Sequence, residues 1–230
     1  MLFVDKSLLI VKPAEPFRQW LMNVLQASHV VPKTDISLEQ IQDDANCYVI
    51  PMLPSPQTAA YIKQHSEEIF RTELSTWCKV KEVWPDLSFA NFLASFNFNF
   101  YFDWMDFSST NKLQGNSLPN ITLLIKPNEN FADYLKTLMV ERFKMDPAIV
   151  DKKMNFELIQ NGSTAVITDV NSLNDVEYFI DQHCEEIFIH QLILWGGADC
   201  KNLWPRDMDL RGFKESFSIE IHQHTYVMAH

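Results

Sequence analysis

Two stretches of the chain decide its fold: Ile62–Trp77 reads IKQHSEEIFRTELSTW, and Ile180–Trp195 reads IDQHCEEIFIHQLILW. Nine of the 16 paired positions are identical at a constant offset of 118 residues. Chance would give roughly one match in twenty positions, so the similarity indicates an internal repeat, and a repeat determines how the whole chain is organised. The sequence therefore predicts two copies of one folding unit.

The similarity continues outward on both sides of these stretches. The corresponding segments are Val11–Pro13 with Ile125–Pro127, Ile41-Gln42 with Ile159-Gln160, and Trp84-Pro85 with Trp204-Pro205. Their offsets differ only from block to block, which indicates that loops changed in length while helices and strands did not. We predict a first repeat over residues 5–107, a linker rich in turn-forming residues over 108–120, and a second repeat over 121–230.

Each repeat is predicted to contain its elements in the order β-α-β-β-α-α-β. Residues 156–169 have the pattern of a hairpin, because two apolar runs flank the turn-forming pair Asn161-Gly162, and the repeat extends this prediction to residues 39–51. The fold class is therefore α+β, with helices packed on a mostly antiparallel sheet. We expect a pseudo-twofold axis to relate the two copies.

Helical and strand periods support this order. Apolar residues form one stripe along the helix predicted around Ile62–Trp77. The corresponding helix around Ile180–Trp195 is apolar on more sides, so we expect most of its surface to be buried. Near the end of the first repeat, Phe96–Met105 alternates aromatic residues with Asn, Tyr and Asp, which predicts a single strand.

Composition excludes several classes of protein. With 230 residues, 47% hydrophobic and 21% charged, the chain has the composition of a globular protein and not of a disordered one. The net charge of −11 argues against nucleic-acid binding, and no apolar run is long enough to predict a membrane span. The four cysteines form no CxxC pair, which predicts reduced thiols in a cytoplasmic protein. No cofactor motif is present.

The first candidate site is the His-x-x-Glu pattern of the long helices, His65 with Glu68 and His183 with Glu186. A spacing of three residues brings both side chains to one helical face, as a metal site or an acid/base pair requires. These four residues are catalytic candidates, and they would form one site only if the two copies met there. A histidine hydrogen-bonded to its neighbour at the edge of the apolar stripe explains the same pattern.

The second candidate is a metal site at His222 and His224, with His190 or His230 as further possible ligands. Two histidines separated by one residue in a strand project from the same face, and zinc often binds pairs of imidazoles. The corresponding residues of the first repeat are Tyr101 and Asp103, so the site would belong to one copy. The alternative is a pair of solvent-facing strand histidines.

The end of each repeat carries a resemblance. Leu203–Pro205, Phe213, Phe217 and Ile219–His222 follow one another in a pattern similar to that of small uncharacterised bacterial proteins. The first repeat matches with Trp84-Pro85, Phe92 and Phe96, but has Tyr101 where the second has His222. The resemblance implies a cytoplasmic bacterial protein of unknown activity, and it assigns no catalytic residue.

Two functions are consistent with the sequence. The first is a non-catalytic cytosolic binding or regulatory protein that could bind a basic protein partner, as an immunity-type inhibitor does, because the chain is acidic and has no catalytic motif. The alternative is a metal-dependent or acid/base enzyme that uses His/Glu pairs at the interface of the two repeats. We predict no nucleic acid, membrane or cofactor as a partner, and the sequence does not determine the oligomeric state.

Overall fold

A computed structural model describes residues 6–27, 36–108, 121–154, 159, 162–170, 172–197, 204–205 and 208–228. Over these residues the protein has an α+β fold with two four-stranded, mostly antiparallel sheets, which belong to two units of the chain. No helix within these ranges combines the length and the apolar composition needed to cross a bilayer.

The first half of the chain begins and ends with strands. Its elements are β1 (Lys6–Pro13), α1 (Glu15–Ala27), α2 (Leu38–Asp43), β2 (Asn46–Pro51), α3 (Ser55–Trp77), α4 (Phe89–Ser95), β3 (Phe96–Tyr101) and β4 (Trp104–Asp106). A single turn of 3-10 helix at Lys81–Val83 separates α3 from α4.

The second half has the same order of elements within its described residues. They are β5 (Ile121–Pro127), α5 (Glu129–Phe143), α6 (Pro147–Lys153), β6 (Thr164–Thr168), α7 (Leu173–Gly196), α8 (Leu210–Ser216), β7 (Phe217–His222) and β8 (Thr225–Val227). This agreement is compatible with the predicted duplication, and the pseudo-twofold relation between the copies stays a prediction.

The first unit is built on a sheet with the strand order β3-β1-β2-β8. Strand β1 pairs antiparallel with β2 and β3, whereas β8 runs parallel to β2. The sheet and the helices α1, α3 and α4 contribute side chains to one core, because each presents an apolar face to the others. Its fully buried members include Leu9, Phe17, Tyr48, Phe70 and Phe92.

The second unit has a sheet with the strand order β4-β6-β5-β7. Strand β5 pairs antiparallel with β6, and β4 runs parallel to β6. The core combines this sheet with the helices α5, α7 and α8. Its buried members include Leu123, Phe131, Val166, Phe188 and Phe213.

Each sheet contains one short strand from the other half of the chain. The single strand predicted over Phe96–Met105 is divided: β3 lies in the first sheet, and β4, which starts three residues after β3 ends, lies in the second. Strand β8 follows β7 in the chain but lies in the first sheet. The units therefore differ from the predicted repeats 5–107 and 121–230 by the exchange of β4 and β8. Period-two alternation specifies the faces of a strand but not its pairing partner.

The predicted hairpin at residues 39–51 is wrong in its first arm, which is the helix α2. Ser37 and Gln40 form a capping box: the Ser37 side chain accepts from the Gln40 N–H, and the Gln40 side chain accepts from the Ser37 N–H. These bonds satisfy donors at the start of the helix. In the second half, Ile159 is also helical, and the remainder of the predicted arm at 156–161 lies outside the described residues.

The predicted apolar stripes of the two long helices are buried. Along α3 the buried stripe residues are Ile62, Ser66, Ile69, Phe70 and Leu74, and along α7 they are Ile180, Cys184, Ile187, Phe188 and Leu192. The expectation that α7 is buried on most sides is only partly met, because Ile193 and Leu194 are 40% and 44% exposed. The end of α7 therefore presents apolar side chains to solvent.

The turn before β6 depends on a glycine. The Gly162 N–H donates to the Ile159 carbonyl over 3.1 Å, whereas the hairpin turn predicted at Asn161-Gly162 would be closed by a bond between residues 160 and 163. A Cβ atom at position 162 would collide with the indole ring of Trp195, at the end of α7. The close approach of this ring to the backbone explains why a residue without a side chain occupies the turn.

Candidate functional site

The two predicted His/Glu pairs form local contacts on their helices. The Nδ1 atom of His65 lies 3.3 Å from Glu68 Oε2, and that of His183 lies 3.8 Å from Glu186 Oε2. Both carboxylates are more than half exposed. Each pair therefore has the geometry of a surface contact between residues one turn apart, for which the expected contribution is small.

Aromatic rings hold the two histidines in place. The imidazole of His65 lies 4.3 Å from the Tyr61 ring, between centroids, and that of His183 lies 4.6 Å from Phe107 and 4.7 Å from Phe179. His65 belongs to the first unit and His183 to the second. The structure thus supports the interpretation of each histidine as an edge residue of its own core, and a joint site between the copies stays a prediction.

His222 and His224 do not form the predicted pair on one strand face. Strand β7 ends at His222, which is fully buried, with Nδ1 2.9 Å from the Ala45 carbonyl. His224 lies between strands, and its carbonyl accepts from the Cys47 N–H over 2.9 Å. The alternative of two solvent-facing histidines is therefore also wrong for His222.

The further ligands proposed for that site are not assembled around it. His190 contacts Asp103 within the second unit, whereas His222 and His224 belong to the first. His230 lies outside the described residues. Within the described ranges, no group of three or more His, Cys, Asp or Glu residues is arranged to hold a metal ion.

A buried carboxyl group lies at the centre of a polar cluster in the first unit. Glu73 of α3 is 1% exposed and accepts a hydrogen bond of 2.6 Å from the Tyr48 hydroxyl and one of 3.0 Å from Asn46 Nδ2. Tyr48 in turn stacks on Tyr226 of β8, with 5.4 Å between the ring centroids. We call Asn46, Tyr48, Glu73 and Tyr226 the Glu73 cluster.

Burial determines the ionisation of this cluster. It raises the pKa of Glu73 from 4.5 to about 7, although the hydrogen bonds from Tyr48 and Asn46 act in the opposite direction. Burial, together with the neighbouring Glu73 carboxylate, raises the pKa of Tyr48 well above its usual value, and the pKa of Tyr226 rises for the same two reasons. The carboxyl group therefore changes its charge near neutral pH, while both phenols stay protonated.

The sequence contains a signal for the Glu73 cluster that is not a catalytic or metal-binding motif. Glu73 follows Ile69 by four residues and Phe70 by three, so it falls on the apolar stripe of the helix. A carboxylate on a buried stripe requires a hydrogen-bonding partner. Its corresponding residue at the offset of 118 is Gln191, which is also polar and also fully buried.

The second unit has a related polar cluster around Gln191. The Gln191 amide donates to the Thr164 hydroxyl, which donates to Oδ2 of Asp103. Thr164 corresponds to Asn46 at the same offset, so both clusters join the long helix to the first residue of the neighbouring strand. His190 Nε2 lies 2.9 Å from both carboxylate oxygens of Asp103.

Hydrogen bonds stabilise the charged form of Asp103. Its burial raises the pKa, but the hydrogen bonds from His190 and Thr164 outweigh burial and lower the pKa of this carboxyl below its usual value. Asp103 orients the imidazole of His190 in the way that an acid/base catalyst requires. Within the described residues, no serine, threonine or cysteine side chain is hydrogen-bonded to this imidazole, so a nucleophilic triad is not assembled there.

The second unit also has an open acidic cleft between the side chains of α7 and the start of α8. It has a volume of about 350 Å³ and is lined by Asp181, Gln182, Cys184, Glu185, Met208, Asp209 and Leu210. Burial, followed by the charges of Asp181 and Asp209, raises the pKa of the Cys184 thiol, which therefore stays neutral. We call this feature the acidic cleft.

Charge is unevenly divided between the two units. The second unit holds 19 of the 30 acidic and 10 of the 19 basic residues, a net charge of −9, which leaves 11 acidic and 9 basic residues and a net charge of −2 in the first. Among the described residues, no basic side chain lies within 4.0 Å of the carboxylates of Asp181 or Glu185. Asp181 and Glu185 therefore give the acidic cleft negative charge that no described basic side chain pairs with.

Comparison with protein-family models, with curated proteins and with solved structures gives no match for this chain.

Proposed function

We propose that this protein is a non-catalytic binding or regulatory protein whose second unit takes up basic side chains of a partner protein in the acidic cleft. The observation that carries the proposal is the convergence of Asp181, Glu185 and Asp209 on one open cavity, where no described basic side chain pairs with Asp181 or Glu185. An inhibitor of a basic protein is the regulatory role that this chemistry fits best.

The cleft matches the two parts of a lysine or arginine side chain. Its carboxylates attract the charged group, and Met208 and Leu210 offer apolar surface to the methylene stem. Asp181 and Glu185 lie one helical turn apart and repel each other, so a bound cation relieves a local cost. An anionic ligand would increase that repulsion.

The corresponding face of the first unit has a different charge. At the offset of 118, Asp181 corresponds to Lys63 and Glu185 to Glu67, which forms an ion pair of 2.6 Å with Arg71. A basic ligand would meet cations at this face of α3. The proposal therefore assigns partner binding to the second unit alone.

Two observations favour binding over the alternative of acid/base catalysis. The Glu73 carboxyl group has a pKa suited to proton transfer, but it is 1% exposed, so a substrate would have no access to it. The accessible His65/Glu68 and His183/Glu186 pairs are local contacts of single helices. Free thiols at Cys47, Cys78 and Cys184 support a cytoplasmic location for the proposed protein.

The test uses the full chain and a decalysine peptide as the probe. We expect the double variant Asp181→Asn/Glu185→Gln to bind this peptide about tenfold more weakly than the wild type, the effect of losing two exposed ion pairs of about 0.7 kcal/mol each. Isothermal titration calorimetry at low salt measures the affinity, and amide shifts by NMR locate the bound peptide.

The matched control is Glu67→Gln/Glu68→Gln, which removes the same charge from the corresponding face of α3. We expect its affinity to stay within about twofold of the wild type, because these two carboxylates do not line the acidic cleft. Equal losses in the two double variants would mean that the peptide responds only to net charge, and the proposed role of the cleft would then be wrong.

A further inference from the structure

Strand β3 is an edge of the first sheet and lacks the features that usually protect an edge. Its sequence, FNFNFY, contains no charged residue and no proline, and within the described residues only β1 pairs with it. The corresponding edge strand β7 reads FSIEIH, and its Glu220 forms an ion pair with Lys126. Charges and prolines discourage edge-to-edge pairing, and a flat apolar edge invites it.

The register of β3 shows which of its main-chain groups face the free edge. The Ala14 N–H donates to the Ser95 carbonyl over 2.8 Å, and two residues further along, Lys12 lies opposite Asn97. Hydrogen-bonded pairs alternate along an antiparallel ladder, so Asn97 and Asn99 bond to β1. The residues between and after them, Phe98 and Phe100, direct their N–H and C=O groups to the free edge.

We propose that β3 pairs antiparallel with β3 of a second copy of this chain, about a two-fold axis at Asn99. In this register each Phe98 exchanges main-chain hydrogen bonds with Phe100 of the other copy, and Asn99 lies opposite Asn99. Because every opposed pair on the apolar face joins phenylalanine to phenylalanine, the edge is complementary to itself. Such an arrangement closes as a symmetric dimer and leaves neither β3 edge open.

Exposure and charge fit this partner. Asn97 and Asn99 are exposed on one face of β3, and Phe98 and Phe100, on the other face, are only half-buried, so the middle of the strand has side chains open to a partner on both faces. Strand β3 itself carries no charged side chain, so two copies of it meet without like charges in direct opposition. The inference is independent of the acidic cleft, which lies in the second unit.

The first test measures the dimer of the full chain by sedimentation equilibrium from about 1 to about 100 µM. Asn99→Lys places two like charges opposite each other at the axis, and we expect it to raise the dissociation constant about tenfold or more. Gln64→Lys adds the same charge at an exposed position of the helix α3, outside the strand, and we expect little change from it. A monomeric wild type over this range, or equal effects of the two variants, would overturn the proposal.

The second test locates the two-fold axis. Asn99 faces its own copy in a non-hydrogen-bonded pair, where Cα atoms are close enough for a disulfide. We expect Asn99→Cys to form a covalent dimer on mild oxidation, above the level of the wild type with its own cysteines. Asn97→Cys lies on the same face but opposite Tyr101, so it serves as the control. Equal cross-linking by the two variants would contradict the register and with it the proposed interface.

Discussion

Glu73 and Gln191 occupy corresponding positions in the two long helices and have nearly the same shape, but only Glu73 can ionise. Both are fully buried and both bond to the first residue of the neighbouring strand. At this position the second unit thus has a neutral amide in place of the carboxyl group. The comparison of Glu73 with Gln191 indicates that the fold requires a hydrogen-bonding side chain at this position but does not require a charged one.

At this scale we predict that Glu73 makes stability depend on pH. Because its pKa is raised to about 7 in the folded state, its contribution is fully present below about pH 4.5 and is lost as the pH rises to about 7. The loss amounts to at most about 3 kcal/mol. We expect Glu73→Gln to remove this dependence, as measured by urea unfolding at about pH 5 and about pH 8.

The surface variant Glu68→Gln is the control for this experiment, because it removes an exposed acid from the same helix. It should leave the difference between the two pH values unchanged. The buried Asn46 Oδ1 atom has no hydrogen-bond partner among the described residues, so rotation of this amide can accommodate the glutamine Nε2 group. If Glu73→Gln keeps the wild-type pH dependence, then Glu73 does not cause it.

At the scale of the elements, the sequence predicts those features that depend on residues close together in the chain. The stripes of α3 and α7 follow from helical spacing, and the burial of Ile69 and Ile187 confirms them. The first arm of the predicted hairpin is a helix because Ser37 and Gln40 cap its start, and this capping pair is a local signal in the sequence. The Glu73 cluster could have been inferred from the stripe, whereas its partners Tyr48 and Tyr226 could not, because non-local pairing brings them together.

The turn at Gly162 gives a prediction for a single element. We expect Gly162→Ala to destabilise the protein by about 1–3 kcal/mol, because the new methyl group overlaps the Trp195 ring and the packing must shift. Thermal or urea unfolding measures the loss. The double variant Gly162→Ala/Trp195→Phe should recover part of it, since the smaller ring makes room. If the losses of stability in Gly162→Ala and Trp195→Phe simply add in the double variant, the contact with the ring is not the cause of the loss in Gly162→Ala.

At the scale of the whole molecule, the exchange of β4 and β8 could not be inferred from the repeat. An offset of 121 relates β3 to β7 and β4 to β8, and it predicts the same strands whether or not they change sheets. The choice depends on which backbone groups are free at the edges of β2 and β6. Such pairing is a property of the assembled sheet and leaves no local signature.

The exchange predicts where a truncation acts. Removing residues 224–230 deletes β8, and we expect faster amide exchange in β2, whose Cys47 N–H bonds to the His224 carbonyl. Strand β6 lies in the second unit, whose sheet does not contain β8, so its amides should stay protected from exchange. Hydrogen exchange with mass spectrometry resolves the two strands. Truncation after Met228 preserves β8 and serves as the control, and faster exchange in β6 than in β2 would contradict the prediction.

The swapped strands also bear on how the protein can be divided. Neither half of the chain contains all four strands of one sheet. If the chain were divided within residues 109–120, the first fragment would lack β8 and carry β4, and the second would lack β4 and carry β8. Each fragment supplies what the other is missing. The chain is therefore a template for a split reporter, in which a signal arises only after the two pieces have reassembled.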